Sequence, residues 1–456
     1  MSYRGLVIGL AAAVLAASAP AYAEAPTGPD AVLQRLVDEA LARNPQLVAA
    51  QQLERAAASR PVQAGSRPGP TVGVFYQNDG VAPSLGREQM TMLGVSAGQE
   101  IPYPGKRGLR RQVAQAEGEL AAFDVQRVRL SLVASVKRAY YGLVLARGLA
   151  ALALEHRKLW DEVRETARVR YASAVGSQQD MLRAQVEGTR LDAVHAQHHG
   201  EARARLAEIN ALLNRPPDTP VETAAVLTLA ADSRSPEAIV TAAEAASPEL
   251  KAAELAIARD QRALDLAQLE FKPDFNVEGA AIDRGGLPPM WQVSAKVMLP
   301  SRARARGAVA EAQARLAASN ARVEDVRLRL RSAVEQRRAL LDAAAAIEST
   351  YREGLLPQGE VAVQSATATY AAGQGSQIAV LEAAAAVLED RTDYLRILAA
   401  HATEMARLEE ASLEPPMAID SLLMHGRSSS LGAGPMGSPG EGSASKTTAS
   451  SAPGTR

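Results

Sequence analysis

The chain has 456 residues, a formal net charge of −1, 47% hydrophobic residues, only 4% aromatic residues and no cysteine. The near-neutral charge argues against nucleic-acid binding, and the missing cysteine excludes disulfides, a cysteine nucleophile and a lipid-modified N-terminal cysteine. Scarce aromatics beside abundant alanine, with charges at helical spacing, suit long, closely packed helices better than one large globular core.

At the N-terminus, Arg4 precedes an apolar run from Gly5 to Ala17 and the small-x-small triplet Ala21-Tyr22-Ala23. This is the pattern of a secretory signal peptide over 1–23, cleaved after Ala23. No later segment offers about 18 uninterrupted apolar residues, so no spanning helix is expected. At the other end, residues 415–456 are Gly, Ser, Pro and Ala without periodic apolar positions. Such a tail cannot bury enough surface to offset its ordering entropy and is expected to be disordered.

Between these ends the chain is written twice. NPQLVAAQQLER (44–55) returns as SPELKAAELAIAR (247–259), and YASAVGSQQDMLRAQ (171–185) as YAAGQGSQIAVLEAA (370–384). The copies span 31–213 and 236–411, with a Pro- and Thr-rich linker at 214–235. Each begins with a helix of about thirty residues (31–64; 236–270) in which Asn-Pro or Ser-Pro supplies a cap and a first-turn proline. A strand follows, TVGVFYQN (71–78) or PDFNVEGAAID (273–283), then a polar loop and a second strand, QMTMLGVSAGQEI (89–101) or MWQVSAKVMLP (290–300). Next comes a very long helical stretch, 107–172 or 302–371, with Gly142 and Gly148 expected to interrupt the first and Pro357 to kink the second. A Gly/Ser turn ends it, and a helix returns (178–213; 377–411).

The strands alternate. Phe275, Val277 and Gly279 interleave with Asp274, Asn276 and Glu278; Trp291, Val293, Ala295 and Val297 interleave with Gln292, Ser294 and Lys296. A period of two fits a half-buried sheet and equally a barrel strand with lipid outside and water inside. Two hairpins alone make a marginal sheet, and four strands are too few to close a barrel, so an oligomer is expected. A helix of about 66 residues would reach roughly 100 Å and needs neighbours along its whole length.

An exported chain with two helix–hairpin–long-helix–helix copies resembles the TolC family of outer-membrane efflux proteins. The likeness rests on NPQL/SPEL in the first helix, QEIPYPGKRGLR (99–110) at the strand end and Y-x-x-x-x-G-S-x-x-x-x-L at the helical turn, in that order and duplicated. IPYPGKRG looks most like the branch paired with heavy-metal pumps. The resemblance implies a mainly α homotrimer with a small β part. Each protomer would give four strands to a shared barrel in outer-membrane lipid, continued by a periplasmic α-helical barrel. The implied partners are a periplasmic adaptor (membrane fusion protein) and an inner-membrane pump of the resistance-nodulation-division type. The implied role is a passive exit duct without cofactor. A soluble periplasmic coiled-coil adaptor or scaffold is the alternative, and the paired alternating hairpins speak against it.

On this reading Pro102, Pro104 and Gly105 end the sheet at the barrel-to-tunnel rim. Lys106, Arg107, Arg110 and Arg111 would lie near lipid headgroups, as would the basic cluster after Pro300 (Arg302, Arg304, Arg306). The turns Ala174-Val175-Gly176-Ser177 and Gly373-Gln374-Gly375-Ser376 would be the tip that docks adaptor and pump; a plain helix–helix turn explains them equally. Just past the tip, Asp180 and Glu382 are candidates for a constriction, since threefold symmetry would make rings of carboxylates. Ala379 and Arg183 occupy the corresponding places in the other copies, which thins that ring. His195, His198 and His199 share a helix face, a weak metal pattern that solvated histidines also produce. Met90, Met92, Met290 and Met298 fall on or beside strands, as apolar filler or as thioethers able to meet a soft cation such as Cu(I). No G-x-S-x-G, H-E-x-x-H or P-loop is present, and the carboxylates follow helical charge patterns, so no enzyme is expected.

Overall fold

The computed structural model describes residues 29–411 and 413, apart from 86–87, 226 and 230–233. The expected signal peptide and the expected tail lie outside the described residues. The first copy comprises α1 (Pro29–Arg43), α2 (Pro45–Ala58), α3 (Arg60–Gly65), β1 (Thr71–Gln77), β2 (Met92–Ile101), α4 (Lys106–Ala172) and α5 (Gln178–Leu212). The second comprises α6 (Pro236–Ala246), α7 (Pro248–Gln268), β3 (Asp274–Arg284), β4 (Leu287–Met298), α8 (Arg302–Thr350), a π-turn at Tyr351–Leu355, α9 (Leu356–Ala371) and α10 (Gln377–Glu409). The order of elements recurs from copy to copy.

Two expectations change. The opening helix of each copy is divided, because the residue before each proline is a cap and not a link. Asn44 Oδ1 accepts from the Gln46 and Leu47 amides, and Ser247 Oγ from the Leu250 amide, so each starts a new helix. The glycines of α4 do not interrupt it: it runs unbroken for 67 residues. Gly142 and Gly148 instead let neighbours approach, since a Cβ would lie 3.1 Å from Arg205 Nε at the first and 3.4 Å from Leu395 Cδ1 at the second. Pro357 leaves the helix continuous but forces the turn before it into the π form.

The four strands form one antiparallel sheet in the order β1-β2-β3-β4, so β2 of the first copy pairs with β3 of the second. The apolar core is not one mass. A cluster around Leu36, Val136, Tyr140, Leu143 and Ile209 holds the first copy together, and Leu330, Val334 and Leu408 anchor another in the second. Near the helical tip Trp160, Val163, Val380 and Tyr370 join the copies. Part of the linker is strapped to the first copy: Val221 is buried, Arg147 donates to the Val221 carbonyl at 2.9 Å, and the Ala224 amide donates to the Tyr140 hydroxyl at 3.0 Å.

Candidate functional site

Three places carry functional geometry: the sheet, the junction from sheet to helix, and the far tip of the helices. Residues opposite one another in an antiparallel ladder project to the same face. Val74 stands opposite Val95, Val95 opposite Ala281, and Ala281 opposite Trp291. The next rows read Val72, Ala97, Gly279, Val293 and, farther on, Ile101, Phe275, Val297. One face is therefore mostly apolar across all four strands, with Gln99 in the row between these and Asp283 at the end of β3 as its polar members. It is also bare: Val72 is 74% exposed, Val293 66% and Trp291 81%. The opposite face carries Thr71, Ser96, Glu100, Asn276, Glu278, Gln292, Ser294 and Lys296, with a Glu278–Lys296 pair at 3.1 Å. Phe75 also belongs to that face and lies flat over Gly94, where a Cβ would come within 2.3 Å of its ring. Met92, Met290 and Met298 fall on this polar face, opposite Gln77, Ile282 and Asp274, and so are not part of the apolar surface. Among the described residues no strand lies beside the outer edges of β1 and β4. Unpaired edges on an apolar sheet demand a partner.

At the junction, β2 ends at Ile101, Pro102 is buried, and Gly105 turns the chain into α4 with φ of 97°, a conformation that favours glycine. The expectation that Lys106 faces headgroups is corrected by its contacts. Lys106 is 1% exposed, and its ammonium lies 3.0 and 2.9 Å from the two oxygens of Asp274, with the Lys272 carbonyl at 3.2 Å. Asp274 also accepts from the Tyr103 amide at 2.7 Å. This buried knot ties the start of α4 to the start of β3 and so joins the copies. Arg107 donates to the Gly65 carbonyl at 3.0 and 2.8 Å. After Pro300, Ser301 caps α8, and Arg302, Arg304 and Arg306 are exposed.

At the tip the two turns are built alike. The amides of Val175 and Gly176 donate to the Arg170 carbonyl, and those of Gln374 and Gly375 to the Thr369 carbonyl. Gly176 and Gly375 are needed because a Cβ would meet the backbone of the preceding helix, 3.1 Å from the Tyr171 amide nitrogen and 3.2 Å from the Tyr370 amide nitrogen. Ser177 and Ser376 cap the returning helices. The turns differ at one point: Gly373 has φ of 80°, while Ala174 is held at 60°, where a side chain is strained.

The tips are tied to each other by residues the sequence reading did not single out. The Arg170 guanidinium lies 4.6 Å from the centre of the Tyr370 ring and donates to the Tyr370 carbonyl. Gln377 Nε2 donates to the Asp180 carbonyl at 2.6 Å. Tyr370 is buried and Asp180 lies beside its hydroxyl; burial first, and then this carboxylate, push the phenol pKa above its usual value. Asp180 is half-buried in the first turn of α5, whereas Glu382 and Arg183 are exposed. The sequence paired Tyr171 with Tyr370, but only packing reveals that the first is 49% exposed and the second 1%. The three histidines do not converge. His195 Nδ1 is 3.1 Å from the Ala150 carbonyl and His198 Nδ1 is 2.8 Å from Glu201. Among the described residues no group of three His, Cys, Asp or Glu could hold a metal, and no helix is long and apolar enough to cross a membrane.

A sheet that is apolar and bare on one side and polar on the other, mounted on helices of this length, has the build of one segment of a β-barrel continued by long helices. The outer membrane efflux protein family model matches residues 36–215. The chain superposes on the outer-membrane channel OprN with a TM-score of 0.69 at 20% identity, covering 84% of this chain and 91% of that one. The outer membrane protein VceC of Vibrio cholerae gives 0.71 at 18% identity, covering 84% and 97%. The open state of the MtrE channel of Neisseria gonorrhoeae gives 0.66 at 19%, covering 83% and 88%. A nickel-cobalt-cadmium resistance protein of Alcaligenes xylosoxydans xylosoxydans is 28% identical over 205 residues, 45% of this chain and 46% of that protein. The match thus spans about half the length of that relative. The family model thus covers the first of the two copies, and the fold shared with the solved outer-membrane channels extends over most of the chain.

Proposed function

We propose that three copies of this chain form the exit duct of a tripartite efflux system. The observation that carries this is the bare apolar face shared by all four strands, combined with two unpaired sheet edges. Pairing β1 of one copy with β4 of the next, three times, closes a twelve-stranded barrel. The apolar rows then meet lipid, and Glu278, Lys296 and Asn276 line water. The helices carry the conduit inward, and substrate passes without chemistry or energy input.

A periplasmic adaptor and a pump of the resistance-nodulation-division type would dock at the turns 174–177 and 373–376. Asp180 and Glu382 would form carboxylate rings at the constriction, favouring cations there. Heavy-metal cations are the cargo favoured by the likeness to the nickel-cobalt-cadmium resistance protein. A soluble adaptor or scaffold would gain nothing from a Trp291 left 81% exposed on an apolar sheet face. The test is current through planar bilayers after adding detergent-extracted protein. Discrete conductance steps are expected, with cations favoured over anions. Protein that stays in aqueous buffer and carries no current would overturn the duct.

A further inference from the structure

The π-turn Tyr351–Leu355 interrupts the α pattern between α8 and α9, just before Pro357, with Gly354 inside it. A segment whose hydrogen-bond ladder already departs from the α register is a natural hinge. A buried histidine stands on each side of it.

On the tip side is His156 of α4, only 5% exposed, whose Nδ1 is buried without a hydrogen-bond partner. It opens on a recess of about 260 Å³ lined by Leu159, Val363 and Val387 and by Glu155, Glu360 and Arg391. Arg391 of α10 donates to Glu155 of α4 at 2.7 Å and to Glu360 of α9 at 2.5 Å. It thereby staples a helix of the first copy to the α9–α10 hairpin of the second.

On the barrel side is His401 of α10, 6% exposed, facing Glu348 of α8. Glu348 accepts from the Tyr394 hydroxyl at 3.2 Å and pairs at 3.2 Å with Arg352 of the π-turn itself. One turn farther along α10, Glu404 is engaged by Arg337 of α8 and by Arg407. Each histidine therefore stands beside a carboxylate that an arginine already holds.

We propose that these two histidines make the π-turn a proton-released hinge, in which protonation frees the α9–α10 hairpin from α4. A charged His156 would sit beside the Arg391 guanidinium and compete with it for Glu155. A charged His401 would compete with Arg352 for Glu348. Both changes loosen the contacts that fix the hinge. Burial lowers the affinity of both histidines for protons; Arg391 adds to this at His156, while Glu155 and Glu348 oppose it. The packed form holds the histidines neutral, and a loosened, hydrated form binds the protons. The advantage of the packed form is full above the ordinary histidine value of about 6.5. It declines as pH falls below that value and is gone once pH passes the lowered value of the packed form. The proposal rests on the duct reading only for its consequence, which is a tip that dilates more readily in acid.

The test is hydrogen–deuterium exchange of residues 344–371 in the full-length, detergent-extracted protein at about pH 7.5 and about pH 5, corrected for intrinsic exchange. Protection is expected to fall on the order of tenfold or more in acid. It should hold at both pH values in the H156Q/H401Q protein, which cannot take up these protons. Equal protection of the wild-type protein at both values would overturn the proposal, and this comparison needs no variant to fold. An acid-induced loss that persists unchanged in the double variant would also overturn it. Exchange does not depend on conduction, so a chain that fails to conduct leaves this result to stand or fall by itself.

Discussion

Replacing Arg337 with methionine is expected to lower stability by about 3 kcal/mol or more, among the largest effects of any single substitution in the helical part. Arg337 is 0% exposed and its Nε lies 3.5 Å from an oxygen of Glu404, itself 4% exposed. The pair joins α8 to α10 where the second copy closes on itself. Removing the arginine takes one cation from a buried carboxylate, with Arg407 remaining at 2.9 Å. The cost comes from that under-compensated charge rather than from the net worth of the ion pair. The double substitution R337M/E404Q should therefore recover most of the loss. Thermal unfolding of the three proteins in detergent checks this. A double variant as unstable as R337M would mean that packing volume, not charge, sets the penalty.

The second large effect is expected at the tip. Tyr370→Ala removes a side chain packed against Val163, Ala184 and Val380 and deprives Arg170 of the ring beneath it. Deleting a buried aromatic ring costs about 3–5 kcal/mol. Here that cost falls on the contact between the two copies and not on either copy alone. The resting conductance in planar bilayers should rise several-fold. Tyr370→Phe keeps the packing and removes only the hydroxyl beside Asp180, so it should raise conductance much less. Equal conductance in wild-type and Y370A proteins would show that this contact does not restrain the tip.

Much of this architecture was legible in the sequence because it is periodic. The alternation of Phe275, Val277 and Gly279 with Asp274, Asn276 and Glu278 survives as the two faces of β3, since a pleated strand admits no other sorting. Asn44-Pro45 and Ser247-Pro248 announced helix starts correctly. What they did not announce is that another helix already stood before each of them. The glycines of α4 misled, because a helix packed along its whole length tolerates Gly142 and Gly148 and uses the space for Arg205 and Leu395.

The functional residues were harder to read. Lys106 looks like one member of the basic cluster Lys106, Arg107, Arg110 and Arg111, and nothing local reveals that it is the one buried against Asp274, 168 residues away. Arg170, Tyr370 and Gln377 lie next to the turn the repeat pointed to. Their role depends on the asymmetry between copies, which a repeat alignment hides. The buried histidines flanking the π-turn give no sequence signal beyond their rarity, six in the whole chain.

The native mass of the detergent-extracted outer-membrane protein tests the central claim most directly. Three chain masses are expected, because only partners can cover the open edges of β1 and β4. A monomer recovered from aqueous buffer without detergent would contradict it: the sheet would then close no barrel, and the apolar face would have to serve some other end.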